Sequence, residues 1–386
     1  IQLNGEAGLL NYLKGNVLLN PHLTLHYTLP DMETQTVHRV TEDVPQVPNA
    51  TEPHPHTMKL GDFISHARLY GRMRCSLWLK QAFSRVSERI FQQMVEEGLP
   101  KGVLSRNIDA MSDAEFTQLF KAIQKTKLMA PSTQSVLSVG EEGLALSIQR
   151  LGEVDFFSVL SRKPMIADFK PVQVEVAIAR ITGAGGAESE TPVQVLRFAN
   201  RVPLQFDKAS CAIVKAINSV NWRSYGLRQP RGQLPQGPYI VAVSVVSPFI
   251  KFKNASKETI DASDELVEEI RRALMKAGQR LGRYLKRENK AEELEQKIQH
   301  IEKFGPILVD TLARILGAPE KRKEAAKNGL AKILGRDTDA AEKQLKSADR
   351  KLEEHLAEKK RRLASFYDVD KKLADQEAAE AEAEAL

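Results

Sequence analysis

The chain has few of the residues that staple a protein together. Its 386 residues include two cysteines, Cys75 and Cys211. They stand far apart and match no disulfide or metal-ligand spacing, which excludes a disulfide-framed fold and leads us to expect a reducing, cytoplasmic setting. Long apolar runs are also missing, and nothing approaches the roughly 20 residues of a membrane-crossing helix. The longest apolar stretch, residues 239–250, contains Ser244, Ser247 and Pro248 and reads as a buried strand. His22 with His26, and His54 with His56, lack a third nearby ligand, so they read as strand and loop histidines rather than a metal site. No Ser-His-Asp or Cys-His arrangement stands out in the linear order. The opening IQLNGEAGLL has neither an initiator methionine nor a charged-then-apolar leader, so we expect the natural N-terminus to lie upstream.

What is present is ordinary for a globular protein: 42% hydrophobic and 27% charged residues, in a length that accommodates two or three domains. The net charge of +6 suits a polyanionic partner, although clusters say more than the total.

Along the chain, residues 6–15 read as a helix and 23–27 as a short strand. A proline-rich connector with Pro45, Pro48, Pro53 and Pro55 then sets a domain boundary near residue 57. From 58 to 150 apolar residues recur every three or four positions, at Phe63, Ala67 and Leu69, then Leu79, Phe83, Val86, Ile90 and Met94, then Phe116, Leu119, Phe120 and Ile123. Gly98-Leu99-Pro100 stops one helix and Ser112-Asp113 starts the next, because a short oxygen-bearing side chain accepts from the free amides of a first turn.

At Pro171 the period changes to two. PVQVEVAIARI and VQVLRF read as two antiparallel strands joined across a Gly-rich stretch. A helix over 209–220, a buried strand over 239–246 and a long helix follow, the last with Leu266, Ile270, Leu274, Ala277, Leu281 and Leu285 in one stripe. The class is α+β, expected with helices on one face of the sheet. Beyond Glu288 the chain is rich in Lys, Glu and Ala and still helical, with breaks expected at Gly305-Pro306 and Gly317-Ala318-Pro319 and a frayed or disordered acidic end, AAEAEAEAL.

The Gly-rich ITGAGGAESE lacks the Lys-Ser or Lys-Thr and the following helix of a phosphate loop, so a flexible hairpin connection is the better reading. Basic clusters are more suggestive. Arg272, Lys276, Arg280, Arg283 and Arg287 recur at helical spacing, as a continuous cationic edge or a merely solvated face. Lys121, Lys125 and Lys127 precede a loop in which Ser138 could cap a new helix, whose free amides would favour a phosphate backbone.

Several stretches together resemble the B subunit of archaeal-type DNA topoisomerase VI, from about residue 6 to about 290. The most specific are LRFANRVPL (residues 196–204) and CAIVKAINSVNWRSYGLRQP (residues 211–230), which look like the family's RFANRVPL strand and its Trp-Lys-x-Tyr-Gly-Leu segment. FSRVSERI, LFKAIQKTKLMAPSTQSVLSVGEEGL and VDFFSVLSRKPMIADFKPVQVEV resemble the family's helix-two-turns-helix domain and its junction with the transducer. NPHLTLHYTLPD and PHPHTMKLGDF look like the last strand and exit linker of the GHKL ATPase domain.

The resemblance implies the end of the ATPase domain and its linker over 1–57, a helix-two-turns-helix domain over 58–152, a transducer over 153–290 and a C-terminal helical extension over 291–386. It implies ATP-coupled passage of one duplex through a double-strand break in another. Partners would be the A subunit, which carries the cleavage tyrosine, double-stranded DNA, and a second B subunit in an A2B2 heterotetramer. ATP and Mg would act through the ATPase domain and the A subunit. The sequence holds neither the family's Asn-containing Mg-binding helix nor its nucleotide boxes, so this chain alone is expected not to hydrolyse ATP. The family's γ-phosphate-sensing lysine falls on Arg223, a planar two-pronged cation in place of a point-like ammonium. The helix over 262–287 suits a lever, and the residues beyond 288 a surface for the A subunit. Two other classes remain open: a non-enzymatic adaptor similar to the B-like proteins that assist meiotic DNA breakage, and a helical scaffold.

Overall fold

In a computed structural model of the chain, residues 8–29, 33–181, 190–330 and 332 are described. The Gly-rich stretch at 182–189 and the acidic end lie outside them. The chain divides into two units, Ile1–Leu285 and Lys286–Leu386.

The first unit is built on a mixed sheet whose strands are β3 (Val154–Ser161), β4 (Met165–Ala167), β5 (Lys170–Ile181), β6 (Gln194–Ala199), β7 (Val202–Leu204) and β8 (Tyr239–Val246). The spatial order is β3-β5-β8-β6-β7, with β4 also on β5. β5 and β8 run antiparallel, Val176 facing Val243, whereas β6 and β8 run parallel, Leu196 facing Ala242. The expected hairpin between the strands at 171–181 and 194–199 is therefore incorrect, because β8 lies between them. The reason is the helix α8 (Ala212–Ser219) between β6 and β8 in sequence, which supplies the crossover that parallel neighbours require.

Helices cover both faces, which corrects the expectation of one. On one face Val174, Val176 and Ile178 of β5 and Val241, Val243 and Val245 of β8 meet Ile213 and Ile217 of α8. Ile270, Leu274, Ala277 and Leu281 of α9 (Asp264–Ile315) complete that core. On the other face Ala177, Ala179, Leu196, Phe198 and Ala242 pack against Leu18 and Leu19 of α1 (Leu9–Leu19) and Leu144 and Ile148 of α7 (Glu141–Ile148). Small residues let α1 approach closely: a Cβ on Gly15 would sit 3.1 Å from the Pro203 ring and 3.3 Å from Phe198. The strand expected at 23–27 is β1 (Leu25–Tyr27), paired with β2 (Gln35–Val37), which the proline-rich connector had hidden.

A separate helical body consists of α2 (Leu60–Arg68), α3 (Cys75–Ala82), α4 (Glu88–Glu96), α5 (Lys101–Ser105) and α6 (Asp113–Lys125). It has its own core of Phe63, Trp78, Leu79, Phe83, Met94, Phe116, Leu119 and Ile123. Ser112 forms a full capping box with Glu115, as its position suggested. Leu69, placed by periodicity on the buried stripe, is 81% exposed because α2 ends at Arg68.

In the second unit α9 continues through the expected break at Gly305-Pro306 and stops only at Ile315. A lone proline removes a single helix bond. At the true stop, Gly317 takes a left-handed φ of 61° that a side chain would resist, and Pro319 follows. Phe304, Ile307, Leu308, Leu312 and Ile315 are all exposed.

Candidate functional site

The segment after α8 is fixed from both sides. Trp222 is fully buried, and its indole donates to the Ile217 carbonyl at 2.8 Å. Its own amide donates to the Gln229 side-chain oxygen at 3.0 Å. A short turn over Trp222–Tyr225 ends at Gly226, whose φ of 92° suits glycine. Tyr225 lies in a notch on α9 made by two glycines. A Cβ on Gly278 would fall 2.6 Å from the Tyr225 ring, and one on Gly282 would fall 3.2 Å from its Cα. Their G-x-x-x-G spacing was legible beside the apolar stripe and is the signal that sequence reasoning missed.

This mounting presents cations along an open cleft lined by Arg223, Gly226, Leu227, Arg228, Gln229, Pro230 and Gln236. Arg223 is exposed and forks onto the Gln229 carbonyl at 2.9 and 2.6 Å. Among the described residues its partner is thus a neutral carbonyl rather than a carboxylate. Arg228 pairs with Glu190 at 3.3 Å, both well exposed, an arrangement worth little in water. Two guanidiniums on one loop can bind an anionic phosphate through paired N–H groups.

Lys121 and Lys125 lie exposed on α6, and Lys127 is exposed just beyond it. Ser138 does not join them as expected. The N-cap of α7 is Gly140, with no side-chain cap. The amides of Val139 and Gly140 donate to the Glu175 carboxylate of β5 at 3.2 and 2.7 Å. The Ser161 hydroxyl also donates to Glu175, at 3.3 Å, and Arg201 donates to the Ser138 carbonyl at 3.0 Å. The anion that the helix start was expected to attract is therefore supplied internally. Burial pushes the Glu175 carboxyl up from its ordinary value, opposed by the two amides, Ser161 and the charge of Arg201.

The cationic edge of α9 is discontinuous. Arg280 turns inward and donates to the Val159 carbonyl, and Arg272 pairs with Glu268 at 3.1 Å, while Lys276 and Arg283 remain exposed. The histidines at the start of the helical body hold backbone. Neutral His54 donates through Nε2 to the Met129 carbonyl at 3.3 Å, and its Nδ1 accepts from the His56 amide at 3.3 Å. Burial, then the neighbouring His56, lowers its pKa to about 4. His56 Nε2 bonds the Ile123 carbonyl at 2.9 Å.

Residues 131–297 match the family model described as the transducer of the topoisomerase VI B subunit. The B subunit of type 2 DNA topoisomerase 6 from Archaeoglobus fulgidus is 32% identical over 84% of this chain and 52% of its own length. That of Methanococcoides burtonii is 30% identical over 79% of the chain and 48% of its own length. Another, from Pyrococcus abyssi, is 27% identical over 83% and 63%. The chain thus spans about half the length of the first two relatives. A solved structure, the B subunit of the DNA gyrase from Myxococcus xanthus, matches 36% of the chain and 43% of its own at 21% identity, with a TM-score of 0.26, too low to add an argument.

Proposed function

We propose that this chain, which belongs to the topoisomerase VI B-subunit family, couples ATP binding and hydrolysis to the passage of one DNA duplex through a double-strand break made by an A subunit. The observation that carries this reading is the seating of Tyr225 against Gly278 and Gly282. It ties the arginine-lined cleft to α9, so a force on the cleft is delivered to a helix that runs on to Ile315. Packed elements of this kind transmit rigid-body movement rather than deforming continuously.

In this reading residues 58–152 form the helix-two-turns-helix domain, 153–290 the transducer and 291–386 the extension toward the A subunit. Arg223, with Arg228 beside it, fits a terminal phosphate, and bound ATP would supply that phosphate from the ATPase domain. Alone, the chain would not hydrolyse ATP. The exposed lysines Lys121, Lys125 and Lys127 face a DNA backbone, contacting phosphate without reading bases. A second B copy and two A subunits complete an A2B2 assembly. None of the described helices is long and apolar enough to cross a membrane.

The exposed Phe304, Ile307, Leu308, Leu312 and Ile315 are the anchor offered to the A subunit. Size-exclusion chromatography of the chain mixed with an A subunit tests this. A stable complex is expected, and deletion of residues 288–372 should abolish it while the sheet unit stays folded. A complex retained by the deletion variant would assign the contact to the transducer instead.

A further inference from the structure

The helical body shares no core residue with the sheet. Its buried side chains form a cluster separate from the two that cover the sheet faces. Two linkers join it to the rest, the outgoing one touching β5 and the incoming one the turn just before β5. The outgoing linker is fixed by buried polar contacts, with Val139 and Gly140 bonded to Glu175 of β5 and Ser138 held by Arg201. The incoming linker is tied at its start, where the Val40 amide donates to the Pro21 carbonyl at 2.9 Å and Arg150 to the His38 carbonyl at 3.1 Å, and at its far end it meets the sheet through one ring. Phe169, in the turn just before β5, stacks on His54 with ring centres 5.3 Å apart and planes at 9°, and meets His56 edge-on at 4.8 Å.

Two features make this second contact reversible. Phe169 is 47% exposed even while docked. The ring stands on the two-residue hairpin loop between β4 and β5, with Ala167 facing Lys170, and Asp168 and Phe169 take the left-handed φ of 49° and 57° that such a loop requires. Glu265 accepts the Asp168 amide at 2.6 Å and braces the turn. Beside the ring lies an unfilled cleft of about 1080 Å³, with His56, Lys59 and Asp62 on the helical side and Lys170, Phe249 and Leu266 on the sheet side. The seam can therefore open or close without repacking either core.

We propose that Phe169 is a latch: docked between His54 and His56 it locks the helical body to the sheet, and when it withdraws the body swings about the linker anchored at Glu175. The latch goes beyond the strand-passage reading and does not depend on it. Its two ring contacts are of a strength that makes the open state a minor but accessible population.

Spin labels on Gln92→Cys of α4 and Lys215→Cys of α8 report the swing in the full chain by pulsed electron resonance. Both native positions are exposed, while Cys75 and Cys211 are buried. The parent protein should give one narrow distance distribution. Phe169→Ala should raise the open-to-latched ratio about tenfold, giving a broadened or second distribution, and Phe169→Tyr should keep the narrow one. Amide exchange of α6 should be unchanged in all three, showing an intact helical core. An unaltered distribution in Phe169→Ala overturns the latch. So does broadening in Phe169→Tyr, which keeps the ring, or broadening with loss of α6 protection, since a cause other than loss of the ring contact would then be at work.

Discussion

Glu175 is where the internal-anion argument is most exposed to test. Replacing it by alanine leaves the half-buried amides of Val139 and Gly140 without their acceptor. Ser161 loses less, because its hydroxyl already accepts from Gln173 at 3.1 Å and can reorient. An orphaned donor costs about 1–3 kcal/mol when buried, and these half-buried amides fall in the lower part of that range. Removing a buried charge returns part of its desolvation cost. The balance is a destabilisation of about 2–4 kcal/mol, or a fall in melting temperature of about 4–16 °C for a unit of this size. Glu175→Gln keeps one acceptor oxygen but turns an N–H toward a donor, so it should fall between the two. Urea unfolding followed by tryptophan fluorescence and circular dichroism measures all three. An alanine variant within about 0.5 kcal/mol of the parent, the range of an inconsequential surface change, would refute the idea that Glu175 serves the start of α7.

Two further outcomes are expected. Neutralising Lys121, Lys125 and Lys127 together should weaken duplex DNA binding irrespective of base sequence and flatten the slope of log affinity against log salt by about 2–3 units; an unchanged slope would remove this surface from the DNA path. His54, held near 4 against an ordinary 6.5, is protonated first in the unfolded chain, so its contribution is complete above pH 6.5 and is lost as pH falls toward 4. The full loss is about 3 kcal/mol, and His54→Gln should show a shallower fall in urea midpoint between pH 7 and 4.5; parallel curves would contradict the burial argument.

The sequence carried those elements whose cause is local. The all-apolar β8, the stripe of α9 and the capping box at Ser112 declare themselves within a few residues. What it concealed depends on distant partners. β5 is buried on both faces, so its pattern does not say which strand lies beside it, and the pairing with β8 followed only from the crossover helix. Ser138 resembled a cap because nothing nearby announces that Glu175, 36 and 35 residues from the two amides, takes their bonds. Arg280 looked like one more solvated cation, yet it closes the backbone of an edge strand. At the cleft, the motif around Trp222 located the cation but not its mounting, which rests on two glycines more than fifty residues downstream.

Coupling through Arg223 is the central claim, and ATP-dependent relaxation of supercoiled plasmid tests it most directly, in a complete B subunit assembled with its A subunit. A charge that meets phosphate only in the closed state should act on closure more than on initial nucleotide binding. Arg223→Ala should therefore depress ATP-driven closure and relaxation, and Arg223→Lys should largely keep both. Relaxation by Arg223→Ala at the parent rate would contradict the assignment and pass the role to Arg228 or Arg231.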